Sequence, residues 1–235
     1  DVLTRGPVIP VVTIDDAGDA NRYRDRWGVG DRFLVMYSGN FGLGHDVDTF
    51  LGAAERLRDD DRVRFAFVGG GKRWPEVETF VRAHGLAHCV LEGPQPRSDL
   101  GALLTAADLH LVTLKPGVEG VMVPSKFYGI LAAGRPAILV GGPDGEIART
   151  IAEESCGEVV PVGDVDGLVE AIVDRLEHPA TASAEGLRGR DALRERLSRR
   201  VRCEAWRRLL ERWDPAPATI DRGAGRTANA LETVE

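Results

Sequence analysis

Apolar residues along the chain occur in two alternating patterns. Short, nearly continuous apolar runs occupy residues 33–37, 63–68, 89–91, 109–112, 137–140 and 158–160. Runs of this length with little polar alternation are the mark of strands covered on both faces. Between them the spacing changes to three and four: over 46–58, Val47, Phe50, Leu51, Ala54 and Leu57 fall on one side of a helix. Residues 74–84, 98–107, 124–133, 146–154 and 165–176 read the same way. Regular strand–helix alternation predicts an α/β fold, a doubly wound parallel sheet of Rossmann-like type with right-handed crossovers. In such sheets ligands collect beyond the carboxyl ends of the strands.

Glycine-rich loops fall at those ends. Gly39-Asn40-Phe41-Gly42-Leu43-Gly44 follows the first strand, where its amides can nest an anion or simply make the turn. It lacks the third glycine of a dinucleotide fingerprint. Gly69-Gly70-Gly71-Lys72 follows the second strand and adds a cation, which faces either a phosphate or solvent. After the third strand, Gln95 and Arg97 belong to a Pro-rich loop in which Ser98 or Asp99 is placed to cap the next helix. The fourth strand leads through Lys115 and Glu119 to Pro124-Ser125-Lys126, the start of a small-residue helix that Gly134 ends.

Composition narrows the class. With 43% apolar and 29% charged residues, the chain reads as a soluble globular protein, and no apolar run approaches the roughly 20 residues that span a bilayer. The first residues lack a signal-peptide core and an initiator Met, which suggests a fragment or a processed chain. Cys89, Cys156 and Cys203 are widely spaced and unpaired in pattern, as expected of buried free thiols in a cytoplasmic protein. His84, His88, His110 and His178 have no ligand spacing, so no metal site is expected. Neither is a nucleic-acid partner.

The segment 123–136, the loop 37–42 and Gly141-Gly142-Pro143-Asp144-Gly145-Glu146 together resemble the donor-binding half of a family 4 glycosyltransferase of the GT-B fold, over roughly residues 7–213. The stretch from Lys115 to Lys126 is similar to that of acetamido-sugar transferases. The resemblance implies a nucleoside diphosphate sugar as donor, UDP-linked, used without a metal. It implies that the helix start, Ser125 and Lys126 stabilise the departing diphosphate. It assigns His45, Lys126 and Glu119 to catalysis, and Gly39, Asn40, Gly42, Gly70, Lys72, Gln95, Arg97, Lys115, Pro124, Ser125 and Glu146 to the donor. Glu146 is read either as a sugar contact or as a carboxylate favoured by its helix dipole.

Two departures stand out. The family's Glu-x7-Glu pair falls here on Val121 and Gly129, with Glu119 two residues early, so Ser125 or backbone must hold the ribose. The usual basic pair after the first strand is replaced by Asn40 and His45, the latter placed to donate to a phosphate or a sugar hydroxyl.

The expected organisation is an interdomain connector over 1–30, the donor domain over 31–180, an amphipathic helix over 187–213 and a disordered tail over 214–235. The helix carries ten arginines against four acidic residues. It is read as reaching a missing acceptor domain or a separate polypeptide, lying on an anionic membrane at its inner face, or covering this domain's own core. The function expected is the donor half of a retaining transferase acting on a glycan or lipid-linked acceptor. The alternatives are a non-catalytic nucleotide-binding module and a GT-B nucleotide-sugar epimerase.

Overall fold

The computed structural model describes residues 21–118, 122 and 124–212, and in it each apolar run becomes a strand of one parallel sheet. The strands are β1 (Phe33–Asn40), β2 (Val63–Gly70), β3 (Cys89–Glu92), β4 (Leu109–Thr113), β5 (Ala137–Val140) and β6 (Gly157–Val160), in the order β3-β2-β1-β4-β5-β6. Successive side chains of β1 face opposite sides. Phe33, Val35 and Tyr37 enter one apolar cluster, Leu34 and Met36 another, which is why the run shows no polar alternation.

Helices α2 (Asp48–Arg56), α3 (Trp74–Ala83) and α7 (Val165–Glu177) cover the first face. The opposite face holds α1 (Arg22–Arg26), α4 (Leu100–Ala106), α5 (Lys126–Ala132), α6 (Glu146–Glu154) and α8 (Pro179–Ala192). Tyr23 and Trp27 of the first segment are buried against Leu34 and Met36, so residues 21–30, expected as a connector, pack as part of this domain. Asp99 does not cap α4. Its carboxylate turns instead to Arg22 at 2.7 Å and to the Tyr23 hydroxyl at 3.3 Å, tying the α4 start to α1.

The ends of β1 and β2 approach so closely that side chains are excluded. Gly39 pairs with Gly69, and a Cβ on Gly69 would lie 1.9 Å from the Gly39 carbonyl oxygen. One residue past β2, a Cβ on Gly71 would lie 2.3 Å from Asn40 Oδ1. Backbone approach is reason enough for both glycines.

The single helix expected over 187–213 is corrected. The chain is already helical from Pro179, passes through a π-helical turn over Leu193–Leu197, breaks at Ser198 in an extended conformation, and resumes as α9 (Arg199–Arg212). Periodicity missed the first part because α8 buries small residues: Ala182, Gly186, Gly189 and Ala192. A Cβ on Gly186 would lie 2.1 Å from the Gly134 carbonyl oxygen, and one on Gly189 2.7 Å from Leu131. Arg175 of α7 binds Glu185 of α8 and Glu158 of β6, at 2.9 and 2.8 Å, with its guanidinium almost wholly buried. Through these buried residues the segment 179–197 packs onto this domain.

The described side chains of α9 remain at least partly exposed, and two of its arginines pair within the helix: Arg207 with Glu204 and Glu211, and Arg208 with Glu204. The thiols are free, as expected, but only Cys156 is buried, with Cys89 half-buried and Cys203 exposed. No described helix is long and apolar enough to cross a membrane. The expectations for residues 1–20 and 214–235 lie outside the described residues.

Gly186→Ala is expected to lower unfolding stability by about 2–4 kcal/mol in urea titration, because a backbone oxygen occupies the space the methyl group needs.

Candidate functional site

Strand order reverses between β1 and β4, so the loops leaving their carboxyl ends diverge and open a crevice. The crevice holds a cavity of about 1090 Å³, whose polar end is formed by the β1 and β2 ends together with the start of α5. Its other end is apolar, walled by Leu103 and Leu104 of α4 and by Leu193 and Leu197 of the π-helical turn.

Lys126 lies at the centre of the polar end. Its Nζ is buried, makes no hydrogen bond among the described residues, and stands 3.5 Å from the centroid of the Tyr37 ring. The side chain reaches across the crevice to β1, for a Cβ on Gly39 would lie 3.4 Å from Nζ. Burial lowers its pKa to about 7. Tyr37 is fixed beneath it by tilted and stacked contacts with Phe41 and Phe50, at 4.6 and 5.2 Å between centroids, and by its hydroxyl, which donates to the Asn40 carbonyl at 3.1 Å. The result is a buried amine held over an aromatic face on a side chain that lines the cavity, an arrangement suited to an anion.

His45 lines the same end and is itself buried. Its Nδ1 lies 2.7 Å from the carbonyl oxygen of Thr113 at the end of β4, so the ring bridges the two diverging loops. Burial and the Lys126 charge both hold the imidazole below its usual pKa. Further ties cross the same gap: the Lys115 N–H donates to the Gly44 carbonyl at 2.9 Å, and a Cβ on Gly44 would lie 2.3 Å from Met122 Cε.

Residues from distant parts of the sequence meet here. Gly39, Asn40, Gly70, Gln95, Arg97, Pro124 and Ser125 line the cavity with His45 and Lys126. Ser125 is exposed to it and makes no capping bond to its own helix. The Gln95 amide is already engaged, accepting from the Tyr23 hydroxyl at 3.1 Å and donating to the Gly93 carbonyl at 2.8 Å. Other expected residues lie elsewhere. Lys72 is exposed away from the cavity because the chain turns into α3 directly after Gly71. Gly42 and Lys115 do not line it either; Gly42 accepts the His45 N–H at 3.1 Å, and the Lys115 backbone is spent on Gly44. Glu146 borders a small neighbouring pocket and accepts the Tyr128 hydroxyl at 3.2 Å. Glu119 lies outside the described residues.

Two residues escaped the sequence reading as parts of the site. One is Tyr37, which looked like strand core. The other is Arg73, beside the expected Lys72: it is buried, with Nη1 donating to the His45 carbonyl at 3.0 Å, Nη2 bound to Glu76 at 2.7 Å and to Asp48 at 3.2 Å, and its N–H bound to the Phe41 carbonyl at 2.9 Å. The only signal was a second cation following the glycines. Among the described residues no cluster of three or more His, Cys, Asp or Glu side chains could hold a metal.

The sheet order, helix placement and crevice are those of one half of a GT-B glycosyltransferase. Residues 32–178 match the family model described as glycosyl transferases group 1, and the chain belongs to that family. It is 34% identical over 148 residues to the glycosyl transferase WcaI of Escherichia coli, assigned to colanic acid biosynthesis, covering 62% of this chain and 36% of WcaI. It is 28% identical over 172 residues to the GDP-mannose-dependent alpha-(1-6)-phosphatidylinositol monomannoside mannosyltransferase of Mycolicibacterium smegmatis, covering 72% of this chain and 45% of that protein. The chain thus spans less than half the length of these relatives.

Among solved structures, HepE of Anabaena in complex with UDP and glucose superposes with a TM-score of 0.72 at 14% identity, over 86% of this chain and 55% of HepE. The C-terminal domain of the group 1 family protein LpcC from Francisella tularensis matches over 98% of its own length and 81% of this chain, with a TM-score of 0.64 at 12% identity. These likenesses establish the fold.

The buried amine makes stability depend on pH. Between about pH 7 and the ordinary lysine value of 10.5, the unfolded chain binds a proton at Lys126 that the folded chain lacks, so stability rises with pH; below 7 the cost of burying the charge is present in full. Lys126→Met is therefore expected to stabilise the ligand-free chain by about 3 kcal/mol at pH 6 and by progressively less toward pH 10, as read from urea midpoints across that range.

Proposed function

We propose that this chain is the donor-binding half of a retaining glycosyltransferase and holds a nucleoside diphosphate sugar, UDP-linked and of the hexosyl or acetamidohexosyl class, in the crevice between β1 and β4. The observation that carries the reading is Lys126 Nζ, a buried amine without a hydrogen-bond partner among the described residues, on a side chain that lines a cavity large enough for a nucleotide sugar. Burying an amine in this way costs stability unless an anion meets it. A diphosphate supplies that anion, and the charge that develops on it as the glycosidic bond breaks is the charge Lys126 is positioned to neutralise.

Ser125 and the backbone around Gly39 and Gly70 are the remaining groups offered to the phosphates and ribose, while the loop at Pro94–Arg97 borders the base. Lysine and hydroxyl groups perform this neutralisation without a metal. The UDP in HepE, a protein of the same fold, supports the choice of base. Sugar transfer needs a second, acceptor-binding half facing this crevice, with a glycan or lipid-linked acceptor.

Isothermal titration of the chain with UDP, with and without EDTA, tests the reading. Binding that EDTA leaves unchanged is expected, and Lys126→Ala should weaken it by about 1–3 kcal/mol in a variant that remains folded. An unaltered dissociation constant in that variant, or no binding of UDP to the parent chain, would overturn the assignment.

A further inference from the structure

We infer that His45 is a specificity residue for the donor's sugar: its Nε2 is a hydrogen-bond acceptor that takes a hydroxyl or amide N–H of the sugar ring, and it does not contact the diphosphate. The inference rests on the donor-binding reading above. It begins with tautomer. A backbone carbonyl can only accept, so the 2.7 Å contact between His45 Nδ1 and the Thr113 oxygen requires the proton to be on Nδ1. In the neutral ring Nε2 then carries a lone pair. It makes no hydrogen bond among the described residues, on a side chain that lines the cavity.

Burial of the ring and the Lys126 charge oppose protonation of Nε2 and outweigh the Thr113 carbonyl, which favours the charged ring. Lys126 of α5 brings positive charge, and the Arg73 guanidinium is bonded to the same residue's carbonyl. Tyr37 of β1 meets the ring edge-on at 6.1 Å, its phenol held un-ionised by burial. Asp46, the nearest carboxylate in sequence, is turned to the Thr49 N–H at 3.0 Å. A neutral acceptor repels phosphate oxygens, which are acceptors too. Beside a phosphate at Lys126, the groups that can donate to Nε2 are the ribose, already offered Ser125 and the backbone around Gly39 and Gly70, and the sugar, which is bonded to the outer phosphate and carries O–H groups or an acetamido N–H.

Arg73 and the Gly42 carbonyl hold the backbone of His45 from two sides, and the Thr113 carbonyl orients its ring, so the acceptor is fixed before the ligand arrives. A lysine at this place would offer only donors and would serve the phosphate instead.

Titrations of the full chain with UDP and with a panel of UDP-glucose, UDP-galactose, UDP-N-acetylglucosamine and GDP-mannose separate the alternatives. In His45→Ala the dissociation constant for the sugar nucleotide bound best by the unaltered chain should rise about tenfold more than that for the parent nucleoside diphosphate, whose own change reads the loss of the loop tie to Thr113. His45→Gln, which keeps an acceptor, should recover most of that loss, and His45→Lys should not; thermal unfolding of each variant confirms that it is folded. Equal weakening of the diphosphate and its sugar conjugate in His45→Ala would return the imidazole to the phosphates or the ribose, and no change in either would remove it from the site. If the unaltered chain binds neither UDP nor any member of the panel, the donor-binding reading itself falls, and this inference falls with it.

Discussion

The structure is organised by the reversal of strand order between β1 and β4. In a parallel sheet wound outward in both directions, the chains leaving these two neighbouring strands turn to opposite faces, and nothing in the sheet itself closes the gap between them. The gap is held at a definite width by side chain and backbone: His45 on Thr113, Lys115 on Gly44, and Met122 against Gly44. Lys126 spans it from the other side and rests over Tyr37. His45 and Lys126 belong to a loop and a helix start, yet the first is anchored to the end of β4 and the second to the aromatic stack beneath.

Electrostatically the polar end is a basic site with few partners supplied by the protein. Arg73 illustrates the contrast with Lys126. Both are buried cations close to His45, but Arg73 is bound by two carboxylates and two carbonyls, its own N–H included, whereas the Lys126 amine has no hydrogen-bond acceptor among the described residues. The first is a structural tie whose charge is already neutralised. The second leaves its capacity for charge unspent, and this difference separates the residue that builds the site from the residue that acts in it.

The strands were legible because burial on both faces leaves an apolar run with no alternation to misread; β5, at residues 137–140, begins and ends where the run does. Helix α6 was equally plain, bounded by Gly145 and the left-handed Ser155. Helix α8 was not, because its contact face is made of Ala and Gly, and close backbone approach leaves no hydrophobic signature in a sequence. In the site, Lys126, Ser125, Pro124 and the Gly39 loop could be placed from local motif and strand position alone. The roles of Tyr37 and Arg73 arise from contacts across elements, and the direction of the His45 hydrogen bond depends on a carbonyl 68 residues away. Lys72 misled for the same reason in reverse, since a cation after a glycine loop reads alike whether it turns inward or outward.

The wall supplied by Leu193 and Leu197 has a consequence for the order in which the molecule is made. The sheet is complete once β6 ends at Val160, but the cavity lacks its Leu193 and Leu197 lining until the chain has returned along α8 and placed the π-helical turn. During vectorial synthesis, the strands and the polar groups of the site are therefore available before the pocket that encloses them. The last wall of the crevice to be made is the one at Leu193 and Leu197, set in place when the chain returns past α5.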